Sequence, residues 1–254
     1  RRQTSGANPA ADGTPDPNAA AQPTPSSTDR PMIDLHHCVS ARSFRPLWLL
    51  EELGIPYRLH MLPFPPRVHA RDYLARNPLG TVPLLEDGAT RLTESAAMCH
   101  YLATRYGAGV LDVAPADAAY GSYLNWLFMS DATLTFPQTL VLRYSYFEPP
   151  DRLQPQVAAD YARWFLARLR AVDAALQHEP YLCAGRFTAA DVAVTYALHL
   201  AQHLELAAQF PPAVADYWQR MQARPAFQRA LQAQHQAALD QAVDPTPSPD
   251  LRPA

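Results

Sequence analysis

The sequence predicts a mixed α/β domain followed by an all-helical domain. Two observations carry this prediction. Short extended segments alternate with helical ones between residues 32 and 106, whereas no segment from Ala116 onward has the pattern of a good strand. In that second part, apolar residues recur at the spacing of one face of an α-helix. The predicted domains are residues 32–107 and 116–238, and residues 107–115 form a linker between them.

The first elements of the α/β domain follow from apolar patterns and from proline and glycine positions. Met32–His37 and Pro56–Leu62 are predicted strands, and Ser43–Gly54 is a helix that ends at a glycine. A short helix over His69–Arg76 ends before Asn77-Pro78, because proline disfavours helical backbone at the residue before it. With the hairpin and helix that follow, the order of elements is β-α-β-α-β-β-α.

A hairpin and a longer helix complete this domain. Val82–Leu85 is a short apolar run, Asp87-Gly88 is a turn dipeptide, and Thr90–Leu92 is extended again. Thr93-Glu94-Ser95 then opens a helix that runs to Tyr106, with hydroxyl caps and an acid in its first turn. Taken alone, this opening is an ordinary helix start. The free N–H groups of such an end also attract a carboxylate, and a neighbouring acid attracts an ammonium group.

Helical periodicity in the second domain covers several segments. They are Ala118–Phe136, Gln154–Gln177, Thr188–Leu206, Ala213–Arg224 and Pro225–Ala238. Thr188 and Asp191 have the spacing of a capping box at the start of one of these helices, which predicts a structural role for Asp191.

Composition excludes several classes of protein. Residues 1–31 and 239–254 of the 254-residue chain carry few large apolar side chains, so we expect both ends to be disordered. The formal net charge of −3 argues against a nucleic-acid binder, and no apolar run is long enough to span a membrane. Cys38, Cys99 and Cys183 form neither a Cys-x-x-Cys pair nor a zinc spacing. We therefore expect no metal, no dithiol chemistry and a reducing cytoplasm.

Residues 77–106 resemble the glutathione-binding half of the soluble glutathione transferases, and the likeness extends from Met32 to about Gln236. The resemblance implies a thioredoxin-like domain with a mixed four-stranded sheet, followed by an all-α domain. It implies that Val82-Pro83 is a cis step and that the Val82 backbone pairs with the cysteinyl part of glutathione. It further implies that Glu94 and Ser95 hold the γ-glutamyl end, with Thr81 as an additional contact.

The same resemblance places activation of the glutathione thiol in the loop before the first helix. When Arg45 is aligned with the arginine of related enzymes, Ser40 and Ala41 fall at the two positions where a catalytic serine can stand. Alanine cannot act, and Ser40 matches the serine-type branch that includes the bacterial zeta-like enzymes. Ser43 is the alternative hydroxyl, and Arg42 could stabilise the thiolate from the end of the helix.

The predicted function is that of a glutathione transferase, with glutathione as cosubstrate and an electrophilic small molecule as its acceptor. Three alternatives of the same fold stay open: a glutathione-dependent isomerase, a disulfide or peroxide reductase, and a binding module without turnover. Ser40 suggests the isomerase, and Ala41 beside it suggests the module. Cys38 would serve disulfide chemistry, but we interpret it as a small buried residue. The resemblance also implies a homodimer and a role in detoxification.

Overall fold

The computed structural model describes residues 32–251, so the predicted extension over residues 1–31 lies outside the described residues. The first half of the described chain is an α/β domain. Its elements are β1 (Ile33–His37), α1 (Phe44–Leu53), β2 (Tyr57–Met61), α2 (Pro66–His69), β3 (Leu84–Asp87), β4 (Thr90–Leu92) and α3 (Ser95–Tyr106). A 3₁₀ turn over Arg71–Ala75 follows α2, where the sequence had predicted one short helix.

The strands form one mixed sheet in the order β2-β1-β3-β4. β1 and β2 run parallel, whereas β3 runs antiparallel to both β1 and β4. This is the thioredoxin-like arrangement, so the predicted fold class of the first domain is confirmed.

Helix α1 lies at the boundary between the two halves. It packs against α3 on one side and against the helical half on the other. All residues from Phe44 to Leu50 are buried, which explains why this stretch is apolar nearly all round rather than along one stripe. The helix ends where Gly54 adopts a left-handed φ of 62°, a conformation that costs glycine little.

The second half of the described chain is all-helical, as predicted. Its main helices are α4 (Tyr120–Met129), α5 (Phe136–Leu142), α6 (Pro155–Leu176), α7 (Ala189–His203), α8 (Pro212–Gln222) and α9 (Pro225–Asp240). The sequence had predicted that the first of them ends at Phe136, before Pro137. Instead, a π-helical segment over Ser130–Thr135 joins α4 to α5, and Pro137 lies in the first turn of α5. The proline removes one helical hydrogen bond, and the chain accommodates it where the π-helical segment gives way to α5.

Helix α7 is the centre of the helical half. Its residues from Ala189 to Leu198 are all buried, and it contacts α1, α3 and α4. The predicted capping box is present: Thr188 accepts a hydrogen bond from the Ala190 N–H at 3.3 Å, and Asp191 accepts one from the Thr188 N–H at 2.8 Å. The structural interpretation of Asp191 is therefore supported.

The C-terminal segment differs from the prediction that residues 239–254 are disordered. Helix α9 continues to Asp240, and the Gln241 side chain then bonds to β2, donating to the Leu59 carbonyl and accepting from the Met61 N–H, both at 2.8 Å. Farther along, the Pro249 carbonyl lies 3.0 Å from His203 Nε2. In the structure, polar side chains rather than an apolar pattern attach this segment to the rest of the domain.

Candidate active site

A cleft of about 420 Å³ lies between the two halves. The loop after β1, the segment before β3 and the start of α3 form one wall, while α5, α7 and the C-terminal segment form the other. The structure brings together every predicted site residue except Ser43. Those that line the cleft are Ser40, Arg42, Thr81, Val82, Pro83, Glu94 and Ser95.

The segment before β3 is held from behind and open toward the cleft. The Val82-Pro83 bond is cis, as predicted. The Thr81 carbonyl accepts hydrogen bonds from Tyr73 Oη at 2.9 Å and from Asn77 Nδ2 at 2.8 Å, which fixes the backbone just before this step. Within residues 32–251, no hydrogen bond occupies the backbone N–H or C=O of Val82. These two groups are therefore able to pair with an extended peptide.

The start of α3 carries a carboxylate and a hydroxyl group, beside the free N–H groups of the first helical turn. The sequence had predicted hydroxyl caps, but Glu94 is the N-cap residue and Ser95 is the first helical residue. The Glu94 side chain is exposed and makes no capping hydrogen bond in the described chain. Ser95 is buried, and its Oγ lies 2.8 Å from Nη1 of Arg45. Because a guanidinium group can only donate, Ser95 accepts this bond and keeps its own proton available for another partner.

Arg45 is a fully buried cation that links α1 to the start of the helical half. It donates to Ser95 and to Asp131 Oδ1 at 3.0 Å, and its guanidinium lies 4.6 Å from the Tyr196 ring centre. Its other acceptors are the carbonyls of Ala193 and Ser130 and the Thr135 hydroxyl. With these bonds satisfied, Arg45 acts as a structural support for the site rather than as a ligand-binding group.

Arg42 reaches the cleft but already has protein partners. Its Nε lies 2.8 Å from Asp131 Oδ1, and its Nη2 lies 2.9 Å from Thr139 Oγ1. Burial would raise the pKa of Asp131, but the charges of Arg45 and Arg42 outweigh burial and hold that pKa below its ordinary value. The ionised Asp131 consequently offsets part of the positive charge that Arg42 contributes to the cleft.

Ser40 is held by three side chains of the helical half. Its backbone N–H donates to Gln234 Oε1 at 2.9 Å, and its carbonyl accepts from the Tyr196 hydroxyl at 3.3 Å. Its Oγ lies 3.3 Å from Gln234 Nε2 and 3.4 Å from His199 Nε2. Sequence reasoning missed these three residues, which are 156 to 194 positions away along the chain.

The alternative hydroxyl, Ser43, is not part of the cleft. It is fully buried, and its Oγ bonds to the backbone N–H and C=O of Cys38 at 3.4 and 3.5 Å. This local bonding turns the hydroxyl away from the cleft wall, so the prediction for Ser43 is corrected. Cys38 is buried as well, and burial raises the pKa of its thiol to about 12, which leaves almost no reactive thiolate at neutral pH.

Two further observations concern metals and membranes. Among the side chains of residues 32–251, no group of three or more His, Cys, Asp or Glu is placed to hold a metal ion. In the same part of the chain, none of the helices combines the length and the apolar character that crossing a bilayer demands.

Comparison with known proteins identifies the family. The glutathione S-transferase N-terminal domain matches residues 39–105, and the glutathione S-transferase C-terminal domain matches residues 141–225. Glutathione S-transferase 3 of Zea mays is 32% identical over 197 residues, which cover 73% of this chain and 86% of the relative. GstA of Escherichia coli O157:H7 is 33% identical over 165 residues, which cover 64% of this chain and 78% of the relative.

A solved structure agrees with these relatives. The glutathione S-transferase of Xylella fastidiosa is 26% identical and superposes with a TM-score of 0.69, covering 79% of this chain and 98% of the other. The predicted two-domain fold and the predicted enzyme class are therefore confirmed. The chain belongs to the glutathione S-transferase family.

Proposed function

We propose that this glutathione transferase binds glutathione along the segment before β3 and the start of α3, and that Ser40 stabilises the glutathione thiolate. The observation that carries the proposal is the convergence of Val82, Glu94, Ser95 and Ser40 on one cleft. Each of these residues offers a group that matches a different part of the tripeptide.

The γ-glutamyl end carries an ammonium and a carboxylate on one carbon. The exposed Glu94 carboxylate is suited to the ammonium, since charge-assisted hydrogen bonds are the strong ones. The Ser95 hydroxyl proton and the N–H groups at the start of α3 are suited to the carboxylate. The Val82 backbone then pairs with the cysteinyl unit in the manner of an added strand, with Thr81 beside it.

The chemical step needs the anionic form of the glutathione sulfur. A free thiol has a pKa of about 8.5, so most of it is protonated at neutral pH. A hydrogen bond donated by the Ser40 hydroxyl to the sulfur stabilises the anion and lowers that pKa. The thiolate then attacks an electrophilic carbon, forming a carbon–sulfur bond as the leaving group departs with its electron pair. Arg42 adds a positive charge at the cleft wall, and none of these steps needs a metal ion.

The part of the cleft that faces the helical half suits an apolar electrophile. Phe64 and Phe147 lie there with ring centres 5.5 Å apart, and Leu142 and Leu200 are close by. Aromatic and aliphatic walls with few polar groups are typical of sites for small apolar molecules. Within the family, the role given to Ser40 corresponds to the serine-type, zeta-like branch, and the proposed biological role is detoxification.

We further propose a homodimer in the cytoplasm. A second groove of about 720 Å³ runs along α3 and α4, lined by Ala97, Tyr101, Leu124 and Phe128. Phe128 is 73% exposed and continues the apolar lining of this groove, and contiguous apolar surface of this kind is typical of a protein–protein interface. The three cysteines are free thiols, as expected of a reducing compartment. Sedimentation of the wild type should give a dimer, and Phe128→Asp should give a monomer.

The proposed function is tested by binding and by thiol chemistry. The protein should be retained on immobilised glutathione and should melt at a higher temperature with free glutathione. Ser40→Ala should keep glutathione binding, raise the pKa of the bound thiol and lower kcat with aromatic electrophiles. If the protein shows neither retention on immobilised glutathione nor a thermal shift at millimolar glutathione, the proposal is overturned.

A further inference from the structure

We infer that Gln234, in the second half of α9, is a positioning residue that holds Ser40 in its active conformation. The inference rests on the thiol-stabilising role proposed for Ser40 and extends that site to the last helix of the chain. Gln234 is almost fully buried, although a glutamine has no apolar reason to be there. Its side-chain amide bonds to β1 and to the loop that carries Ser40.

The orientation of the Gln234 amide follows from its neighbours. The Ser40 backbone nitrogen and His37 Nε2 both lie 2.9 Å from the same side-chain atom of Gln234. A backbone N–H can only donate, so that atom must be the amide oxygen. The amide nitrogen consequently faces Ser40 Oγ, at 3.3 Å, and donates to it.

His37 fixes the amide from the side of the sheet. It is fully buried on β1, and burial lowers the pKa of its imidazole to about 4, so the ring is neutral at neutral pH. Because the Gln234 oxygen accepts, the single ring proton of His37 must be on Nε2. The amide oxygen thus accepts hydrogen bonds from two N–H groups, and the amide can satisfy both in only one orientation.

These bonds run in one direction toward the cleft. His37 donates to the Gln234 oxygen, the Gln234 nitrogen donates to Ser40 Oγ, and the Ser40 proton can be donated either to His199 Nε2 or to a sulfur anion in the cleft. Hydrogen bonds in such a chain polarise one another, so the Ser40 hydroxyl becomes a better donor than an isolated serine. His199 Nε2 lies 3.4 Å from this hydroxyl, and a sulfur anion is the stronger acceptor of the two because it is charged.

The backbone of Ser40 shows why such support is needed. Its φ is 53°, in the left-handed region that serine seldom adopts. Conformations of this kind persist where the surroundings hold them, and they cluster at active sites. Gln234 bonds to both the backbone N–H and the hydroxyl of Ser40. One side chain therefore fixes the loop and orients the Ser40 hydroxyl.

The test is the pKa of the glutathione thiol bound to the enzyme, followed by the ultraviolet absorbance of the thiolate during a pH titration. Gln234→Leu removes all three hydrogen bonds and should raise the thiol pKa by about one unit. At a given pH, this lowers the ratio of thiolate to thiol about tenfold. Gln234→Glu keeps both bonds to its oxygen but attracts the Ser40 proton to a carboxylate, so it should raise the thiol pKa further. Glutathione affinity should change little in either variant.

The matched control is Gln138→Leu. Gln138 is also fully buried, and its amide donates to the Leu134 and Ala197 carbonyls rather than to the Ser40 loop. This variant should lower thermal stability and leave the thiol pKa unchanged, which separates positioning from a general loss of packing.

Ser40→Ala separates the failure of this inference from the failure of the proposed function. If Ser40→Ala raises the thiol pKa and Gln234→Leu does not, the inference is overturned and the role of Ser40 stands. If Ser40→Ala leaves the pKa unchanged, the role of Ser40 is overturned together with the inference. The double variant should have the thiol pKa of Ser40→Ala alone, because Gln234 acts through Ser40, and additive shifts would contradict this. Should Gln234→Leu fail to fold, an unchanged thiol pKa in Gln234→Glu overturns the inference.

Discussion

Helices α7 and α3 both begin beside an acid and a hydroxyl residue, but their ends are occupied differently. At α7, Asp191 is fully buried and accepts hydrogen bonds from the Thr188 N–H, the Leu182 N–H and the Tyr217 hydroxyl. At α3, Glu94 is exposed and its carboxylate caps nothing in the described chain. The first carboxylate is saturated by the protein, whereas the second is open to the cleft.

The comparison shows that occupancy, rather than residue type, separates a helix end whose groups are bonded within the protein from one whose groups remain open to the cleft. Asp191 has little capacity left for a ligand, because protein donors surround it and no solvent reaches it. At α3, the N-cap residue Glu94 makes no capping bond and the Ser95 hydroxyl is bonded to Arg45, so no side chain in the described chain caps the helix N–H groups. The predictions below test this difference, beginning with the largest expected effect.

Asp191→Ala should strongly destabilise the fold. The substitution leaves the Thr188 and Leu182 N–H groups buried without partners, at about 1–3 kcal/mol for each, so the free energy of unfolding should fall by roughly 2–6 kcal/mol. Urea denaturation measures this loss. The fraction that remains folded should bind glutathione with the wild-type Kd, since Asp191 is not in the cleft. A loss below about 1 kcal/mol would contradict a structural cap.

The stability that Asp191 contributes should also depend on pH. Burial raises its pKa from the ordinary 3.8 to about 6, and this exceeds the opposing effect of its hydrogen-bond donors. The folded state therefore binds the proton more tightly than the unfolded state, so this stability is present below pH 3.8 and is lost as the pH rises through about 6. The stability difference between wild type and Asp191→Asn should narrow over that range, by up to about 3 kcal/mol. A constant difference would contradict the raised pKa.

Glu94→Gln should show the opposite pattern, with a loss of binding and little loss of stability. The variant keeps the size of the side chain but removes the charge that we propose pairs with the ammonium. A charge-assisted bond contributes about 1.5–3 kcal/mol, so the Kd for glutathione should rise roughly ten- to a hundredfold. The free energy of unfolding should change by less than about 1 kcal/mol.

Isothermal titration and thermal unfolding decide between the two patterns. Asp216→Asn is the matched control, because Asp216 is an exposed acid on α8 that does not line the cleft. Asp216→Asn should change neither the Kd for glutathione nor the free energy of unfolding. An unchanged Kd in Glu94→Gln would remove Glu94 from the proposed site.

The parts of the candidate site that could be predicted lie within one short stretch. A turn dipeptide and a helix start mark its secondary structure, whereas the resemblance to the glutathione transferases supplied the cis Val82-Pro83 step and the roles of Glu94 and Ser95. Gln234 could not be predicted in the same way, because a polar residue in a periodic helix ordinarily faces solvent. Only the packing of α9 against α1 brings it to Ser40.

The same reasoning explains two of the differences between the predicted fold and the structure. Proline normally ends a helix, and the predicted helix ended just before Pro137. In the structure, the helix continues from α4 through the π-helical segment into α5. The C-terminal segment lacks apolar periodicity. Its attachment depends on hydrogen bonds between the Gln241 side chain and the β2 backbone, and no local sequence pattern predicts such contacts.

Ser95→Ala should affect both stability and binding, each by a small amount. The variant removes the acceptor for a buried Arg45 donor, which should lower the free energy of unfolding by about 1–3 kcal/mol. It also removes the hydroxyl proton that we propose is donated to the γ-glutamyl carboxylate. A hydrogen bond of about 1 kcal/mol corresponds to a roughly fivefold rise in Kd.

A buried hydroxyl outside the cleft separates the two effects. Thr195 is fully buried on α7 and donates to the Tyr217 hydroxyl, so Thr195→Val should lower stability and leave the glutathione Kd unchanged. If Ser95→Ala behaves like this control, Ser95 belongs with Asp191 among the structural groups, and the open end of α3 is reduced to Glu94 and its backbone N–H groups. If the Kd rises while Thr195→Val leaves it unchanged, one hydroxyl supports the fold through its oxygen and the ligand through its proton.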